Sequence, residues 1–142
     1  MNETFIKEYE IDDKTICDNL INYFQENNQY KMPGQVDNKV LSNSKKSTDV
    51  YAYNESQDLR IKNYLNTVSK FLFEYLNHYE INAAVFTKEP LNIQHYKPGE
   101  GFYSWHCERC SSHYLKTQRA FVFMTYLNDV KNGGTEFKYQ KK

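Results

Sequence analysis

The segment Arg119 to Leu127, RAFVFMTYL, restricts the fold more than any other stretch. In an extended strand successive side chains alternate between faces, so Ala120, Val122, Met124 and Tyr126 share one face and Phe121, Phe123, Thr125 and Leu127 the other. Both sets are largely apolar, which predicts a central strand covered on both sides. Further β-like runs surround it: Ala83 to Thr87, Leu91 to Tyr96, Gly101 to Glu108 and Thr135 to Tyr139. Turn signals separate them at Lys88-Glu89-Pro90, Pro98-Gly99-Glu100 and Asn132-Gly133-Gly134. The second half of the chain is therefore expected to be antiparallel sheet.

The first half has a different period. Residues Thr4 to Ile11 read as a short strand, and Asp12 or Asp13 can cap a following helix. Ile16, Leu20, Ile21 and Phe24 then recur at helical spacing. From Lys31 to Asn54 the composition is polar, with Pro33-Gly34 and the cluster Ser42 to Asp49, and the expectation is a loop with at most short strands. A second helix follows Ser56-Gln57-Asp58. Its stripe is Leu59, Leu65, Val68, Leu72, Tyr75 and Tyr79, widened by Ile61, Tyr64, Phe71 and Leu76. Helices ahead of strands predict an α+β fold in which the N-terminal helices pack on a β-sandwich or jelly-roll core.

Length and charge exclude several classes of function. A chain of 142 residues supports one core, so residues 1–142 are read as one domain. Eighteen basic and eighteen acidic residues balance without long blocks, which argues against a nucleic-acid partner. No apolar run approaches the length of a membrane span, and the N-terminus is polar and acidic rather than signal-like. Cys17, Cys107 and Cys110 are odd in number and widely split, which argues against a disulfide framework and for a reducing, cytoplasmic setting.

The chemistry lies in Asn92 to Glu108, NIQHYKPGEGFYSWHCE. A strand runs into a Pro/Gly turn and returns carrying His106 and Glu108. At i and i+2 these point to the same face, about 7 Å apart along the backbone. An imidazole with a hard carboxylate suits Fe(II), Mn(II) or Zn(II) better than calcium, and two histidines with one carboxylate around Fe(II) is a common open arrangement. Tyr96, across the turn, and Tyr126, on the apolar strand, supply phenols that can hydrogen-bond an acidic ligand.

These residues carry a resemblance. Residues 92–137, with YKPGEGFYSWHCE followed by FVFMTYLNDVKNGGTEF, resemble the double-stranded β-helix core of the Fe(II)- and 2-oxoglutarate-dependent dioxygenases, most closely the prolyl 4-hydroxylase-like branch of bacteria and phages. The resemblance implies that His106 and Glu108 are iron ligands and that Tyr96 and Tyr126 line the 2-oxoglutarate pocket. It implies Fe(II) and 2-oxoglutarate, with ascorbate as a further candidate, and hydroxylation of an unactivated C–H in a small-molecule or peptidyl substrate, a peptidyl proline being favoured. Residues 1–80 would be helical support and 81–142 the first strands of the β-helix. Glutamate stands at position 108 where aspartate is usual in the family. The family's second histidine and its basic 2-oxoglutarate partner have no counterpart after Glu108, so the expectation is the N-terminal part of a longer dioxygenase, inactive by itself.

Two other classes compete. His106, Cys107, Cys110 and His113 form an H-C-x-x-C-x-x-H cluster, the donor set of a closed structural zinc site, although neighbours 106 and 107 face opposite ways in a strand. A non-catalytic interaction module with an open sheet edge is the third reading. His95, His78 and Trp105 read as packing or surface residues, and Arg109 and Arg119 as solvated charges.

Overall fold

The computed structural model describes residues 4–87, 89–109 and 114–140. Its elements, in order, are α1 (Thr15–Glu26), a 3-10 turn (Asn28–Tyr30), β1 (Met32–Pro33), β2 (Thr48–Ala52), α2 (Leu59–His78), β3 (Leu91–His95) and the single turn α3 (Tyr114–Thr117). The architecture is α+β, with two helices on an open three-stranded antiparallel sheet in the order β1-β2-β3. No jelly roll is formed among the described residues.

An aspartate stands at the start of each long helix, and in α2 it is the N-cap itself. Asp13 accepts from the Thr15 backbone N–H (3.0 Å) and hydroxyl (2.6 Å) at the head of α1. Asp58 accepts from the Arg60 N–H (2.9 Å), satisfying an otherwise orphaned donor of α2. The buried face of α2 is Ile61, Tyr64 and Leu76. The stripe is thus rotated from its expected centre, and Leu59 is 70% exposed. It is the first helical residue, where the adjoining chain has not yet closed over the helix.

The sheet comes from unexpected sequence. β2, its central strand, lies within the stretch read as a loop with at most short strands, and pairs with β3 from Thr48↔His95 to Ala52↔Leu91. Alternation sends Val50 and Ala52, with Ile93 of β3, to the helices. There they join Leu20, Phe24, Ile61 and Tyr64 in the core, with Leu91 packed alongside. The opposite face is polar. Asp49 is completely buried there, and accepts from Lys45 Nζ (2.9 Å), Ser47 Oγ (2.6 Å) and Asn92 Nδ2 (3.0 Å). Gly34 abuts this cluster, since a Cβ at that position would stand 2.1 Å from Ser47 Oγ.

The apolar segment 119–127 departs most from expectation. It enters no strand ladder among the described residues. Its odd-numbered side chains meet the helices: Phe121 lies edge-on to Tyr75, Phe123 lies against Tyr64, Thr125 Oγ1 is 2.8 Å from Tyr64 Oη, and Leu127 packs on the core. Val122, Met124 and Tyr126 are 51–61% exposed. One face is partly covered by α2, with Phe123 still 46% exposed, and the other is open, so this is not a two-sided central strand. Among the described residues, strands are likewise absent from 4–11, 83–87 and 135–139, and residues 101–108 contribute only the bridge Phe102↔Lys45. Short apolar runs require partners at the right register to become strands, and these find helix or turn contacts instead.

Removing one member of a buried ion pair leaves the other uncompensated, at a cost of about 3–5 kcal/mol. Lys45→Met is expected to lower the unfolding free energy by about that much. Adding Asp49→Asn in the Met background should recover part of the loss, because an amide needs no cation. Urea denaturation of the two variants checks both statements.

Candidate metal centre

The turn that carries the site forms as its residues dictate. Glu100 N–H donates to Lys97 O (2.8 Å), with Pro98 and Gly99 between them and Gly99 at φ +79°. That is proline and glycine in the positions a type II turn requires. The returning chain pairs beside β2: Lys46 N–H donates to Gly101 O (2.8 Å) and Tyr103 N–H to Ser44 O (2.7 Å). Phe102 is fixed by this pairing, and its ring stacks on the His106 imidazole with centroids 4.0 Å apart and planes 11° from parallel.

His106 is anchored from a second side. Its Nδ1 lies 3.0 Å from the Ser104 carbonyl oxygen, which can only accept, so Nδ1 carries the hydrogen and donates. Nε2 then faces Glu108 Oε1 at 3.3 Å. A lone pair on Nε2 and a carboxylate oxygen repel unless positive charge stands between them, either a proton on Nε2 or a metal ion. Two ligand atoms each about 2.1 Å from a metal lie about 3.0 Å apart at a right angle and about 3.4 Å apart at the tetrahedral angle. The observed spacing falls in that interval. The imidazole N–H bonded to a backbone carbonyl is also the outer-shell contact usual for metal-bound histidine.

Glu108 is held through its other oxygen. Arg119 Nη1 donates to Glu108 Oε2 (2.5 Å), while Arg119 Nε and Nη2 donate to Glu89 Oε1 and Oε2, both at 2.6 Å. The guanidinium pKa is raised, first by the hydrogen bond to Glu89, with smaller contributions from the charges of Glu89 and Glu108. The backbone around Glu89 is tied to the residues after β2, since Asn54 Nδ2 donates to Thr87 O (2.9 Å) and Glu89 O (3.3 Å). Arg119 is therefore no solvated charge. Nothing in its local sequence separates it from Arg109, whose guanidinium donates to Thr117 O (3.1 Å). Only the fold brings residues 89, 108 and 119 together.

Tyr96 and Tyr126 bond elsewhere. Tyr96 Oη donates to Gln94 Oε1 (2.7 Å), and burial, reinforced by the charge of Asp49 and opposed by a hydrogen bond with Ser47, pushes its pKa up to about 12. Tyr126 Oη donates to Thr135 Oγ1 (2.6 Å). Among the described residues neither hydroxyl contacts His106 or Glu108, and no group of three or more His, Cys, Asp or Glu side chains converges. His95 packs on the Phe24 ring, at 5.7 Å between centroids. Cys107 is disulfide-bonded, against the expectation of reduced thiols, and offers no thiolate in that state. An odd cysteine count does not reveal which sulfurs approach, which is a matter of chain geometry. Cys17 is free and buried, and Cys110 and His113 lie outside the described residues.

Comparison of the chain with family models, with curated proteins and with solved structures found no match. Among the described residues no helix is long and apolar enough to cross a membrane.

The neutral Tyr96 phenol makes stability depend on alkaline pH. Between its ordinary pKa of 10.0 and about 12, the folded state keeps a proton that the unfolded state has released. The stability it confers is complete below pH 10.0 and is lost as pH rises through about 12. Tyr96→Phe is expected to flatten that part of the alkaline fall, read as the urea midpoint between about pH 9 and about pH 12.

Proposed function

We propose that this chain contributes His106 and Glu108 as two ligands of an Fe(II) centre of the 2-oxoglutarate-dependent dioxygenase type, hydroxylating an unactivated C–H with a peptidyl proline as the favoured substrate class. The observation that carries the reading is the His106–Glu108 pair. Nε2 and Oε1 stand 3.3 Å apart, with the imidazole aimed by Ser104 and the carboxylate held by Arg119. One nitrogen and one carboxylate oxygen suit Fe(II), and both donors are partly exposed, at 44% and 40% of their side chains, so a metal ion can reach them.

When bound, iron with 2-oxoglutarate supplies the oxygen-activating chemistry. The chain's own residues do simpler things. His106 and Glu108 bind, Phe102 and Ser104 orient the imidazole, and Arg119 fixes the carboxylate. Tyr96 and Tyr126 are assigned to the co-substrate. The Tyr96 phenol is protonated at neutral pH, the form that donates to a carboxylate. The reading requires a third protein ligand and a cation for the far carboxylate of 2-oxoglutarate, both from further polypeptide.

A second reading, a non-catalytic interaction module, is favoured by the exposed Val122, Met124 and Tyr126 beside α2. Anaerobic Fe(II) titration of the 142-residue chain, with and without 2-oxoglutarate, separates the two. Binding that 2-oxoglutarate tightens, and that His106→Ala and Glu108→Ala each abolish while circular dichroism stays unchanged, is the expected result. Absence of Fe(II) binding in the unmutated chain rejects the idea that His106 and Glu108 suffice to hold the ion, and favours the interaction module. Loss of metal with Cys107→Ser but not with Glu108→Ala would assign the site to zinc.

A further inference from the structure

We infer that the cavity beside β1 and the head of β2 is a binding site for a small organic monocarboxylate, whose charge pairs with Lys31 and whose hydrocarbon part lies on Met32, Pro33 and Val40. The cavity shares no lining residue with the His106–Glu108 pair, so the inference stands or falls independently of the iron reading.

The chain makes this cavity by leaving the sheet early. β1 ends at Pro33, the backbone turns back at the Val36↔Lys39 bridge, and it returns to the sheet at β2. Gly34 N–H donates to Ser47 O (2.9 Å), which ties the two sides together. The enclosed volume is about 390 Å³, within the range of about 300–1,000 Å³ common to small-molecule sites. Met32, Pro33 and Val40 form its apolar part, and Met32 and Val40 stand open to solvent, at 39% and 55% exposure. Its cations are Lys31, Lys45 and Lys46, and Glu100 is the carboxylate in its lining. An apolar wall with a few convergent polar groups is the usual make-up of a ligand pocket.

Charge decides the class of ligand. Lys45 Nζ pairs with Asp49 Oδ2 at 2.9 Å, and Lys46 Nζ stands 3.5 Å from Glu100 Oε1. Lys31 has neutral partners instead: Nζ donates to Asn28 Oδ1 (2.6 Å) and lies 4.4 Å from the centroid of the Phe24 ring. Among the described residues no carboxylate pairs with it, so one positive charge is left over in the cavity. A single carboxylate balances that charge. A phosphate monoester carries about −1.5 to −2 at neutral pH, which exceeds the surplus and meets Glu100 as a like charge. Lys45 adds capacity, since an ammonium has three donors and this one, 4% exposed, gives Asp49 one of them.

Hexanoate, acetate and inorganic phosphate serve as probes, titrated without metal into the full chain at low salt while NMR follows the backbone amides of residues 31–48. Hexanoate is expected to shift these amides and to bind about 10–100-fold more tightly than acetate, since each fully buried CH₂ contributes about fourfold. Phosphate should bind more weakly than hexanoate. Lys31→Gln is expected to weaken hexanoate about tenfold, because a charge-assisted hydrogen bond is lost, and Lys31→Arg should retain it. No shift with hexanoate overturns the inference. Equal affinity for acetate and hexanoate overturns it too, since the apolar wall then contributes nothing, and phosphate binding as tightly as hexanoate overturns the class of ligand. Unchanged hexanoate affinity in Lys31→Gln removes the charge argument and the inference with it. Should Lys31→Gln not fold, as read by circular dichroism, Val40→Asp decides: it sets a carboxylate on the exposed apolar wall, and undiminished hexanoate binding there overturns the proposal.

Discussion

A carboxylate with no solvent exposure sits in the central strand, and the arrangement around it conditions the rest of the molecule. Asp49 accepts from Lys45, Ser47 and Asn92 at 2.6–3.0 Å, and the ion pair with Lys45 is buried on both sides. Isolated, such a charge would cost several kcal/mol to bury. Satisfied, it links the approach to β2 with β3, and it does so on the face of the sheet opposite the helices. A buried ion pair adds little net stability over an apolar replacement. Its effect is positional: Lys45 pairs with Phe102, and Phe102 stacks on His106. The apolar face of the sheet builds the core, and the polar face begins the path to the candidate metal centre.

That centre depends on charge in the same way, but nearer to solvent. Arg119 lies between Glu89 and Glu108, and three of its donors are spent on carboxylates. Two carboxylates and one guanidinium carry a net negative charge beside the imidazole, and His106 Nε2 stands 3.3 Å from Glu108 Oε1. Both side chains of that pair are partly exposed, so the contact by itself contributes little to stability.

Local patterns were legible where the sequence alone closes the contact. Asp58 caps α2 and Asp13 accepts from Thr15 beside the start of α1 because their partners lie two residues away, and Pro98-Gly99 forms its turn because φ preference decides it. The periodicity of α2 gave the helix but misplaced its centre, with Ile61 and Tyr64 buried and Leu59 exposed. β2 is one of the short strands that the stretch 31–54 was expected to hold at most, but its central place was not legible, because an aspartate in a polar stretch reads as loop until its lysine partner is known. Arg119 was missed for a similar reason. Its carboxylates are 30 and 11 residues distant, and no spacing rule connects them.

The sequence by itself determined the helices and the tight turn, since each follows from interactions among neighbours in the chain. Tertiary structure decided which strands found partners, left the segment 119–127 packed on one side only, and engaged the Tyr96 and Tyr126 hydroxyls away from the His106–Glu108 pair. It also turned a surface-like arginine into the clamp on Glu108. The physical reason is that burial and charge pairing act between residues far apart in sequence. Their strength depends on distance and solvent exposure, which exist only once the chain has folded.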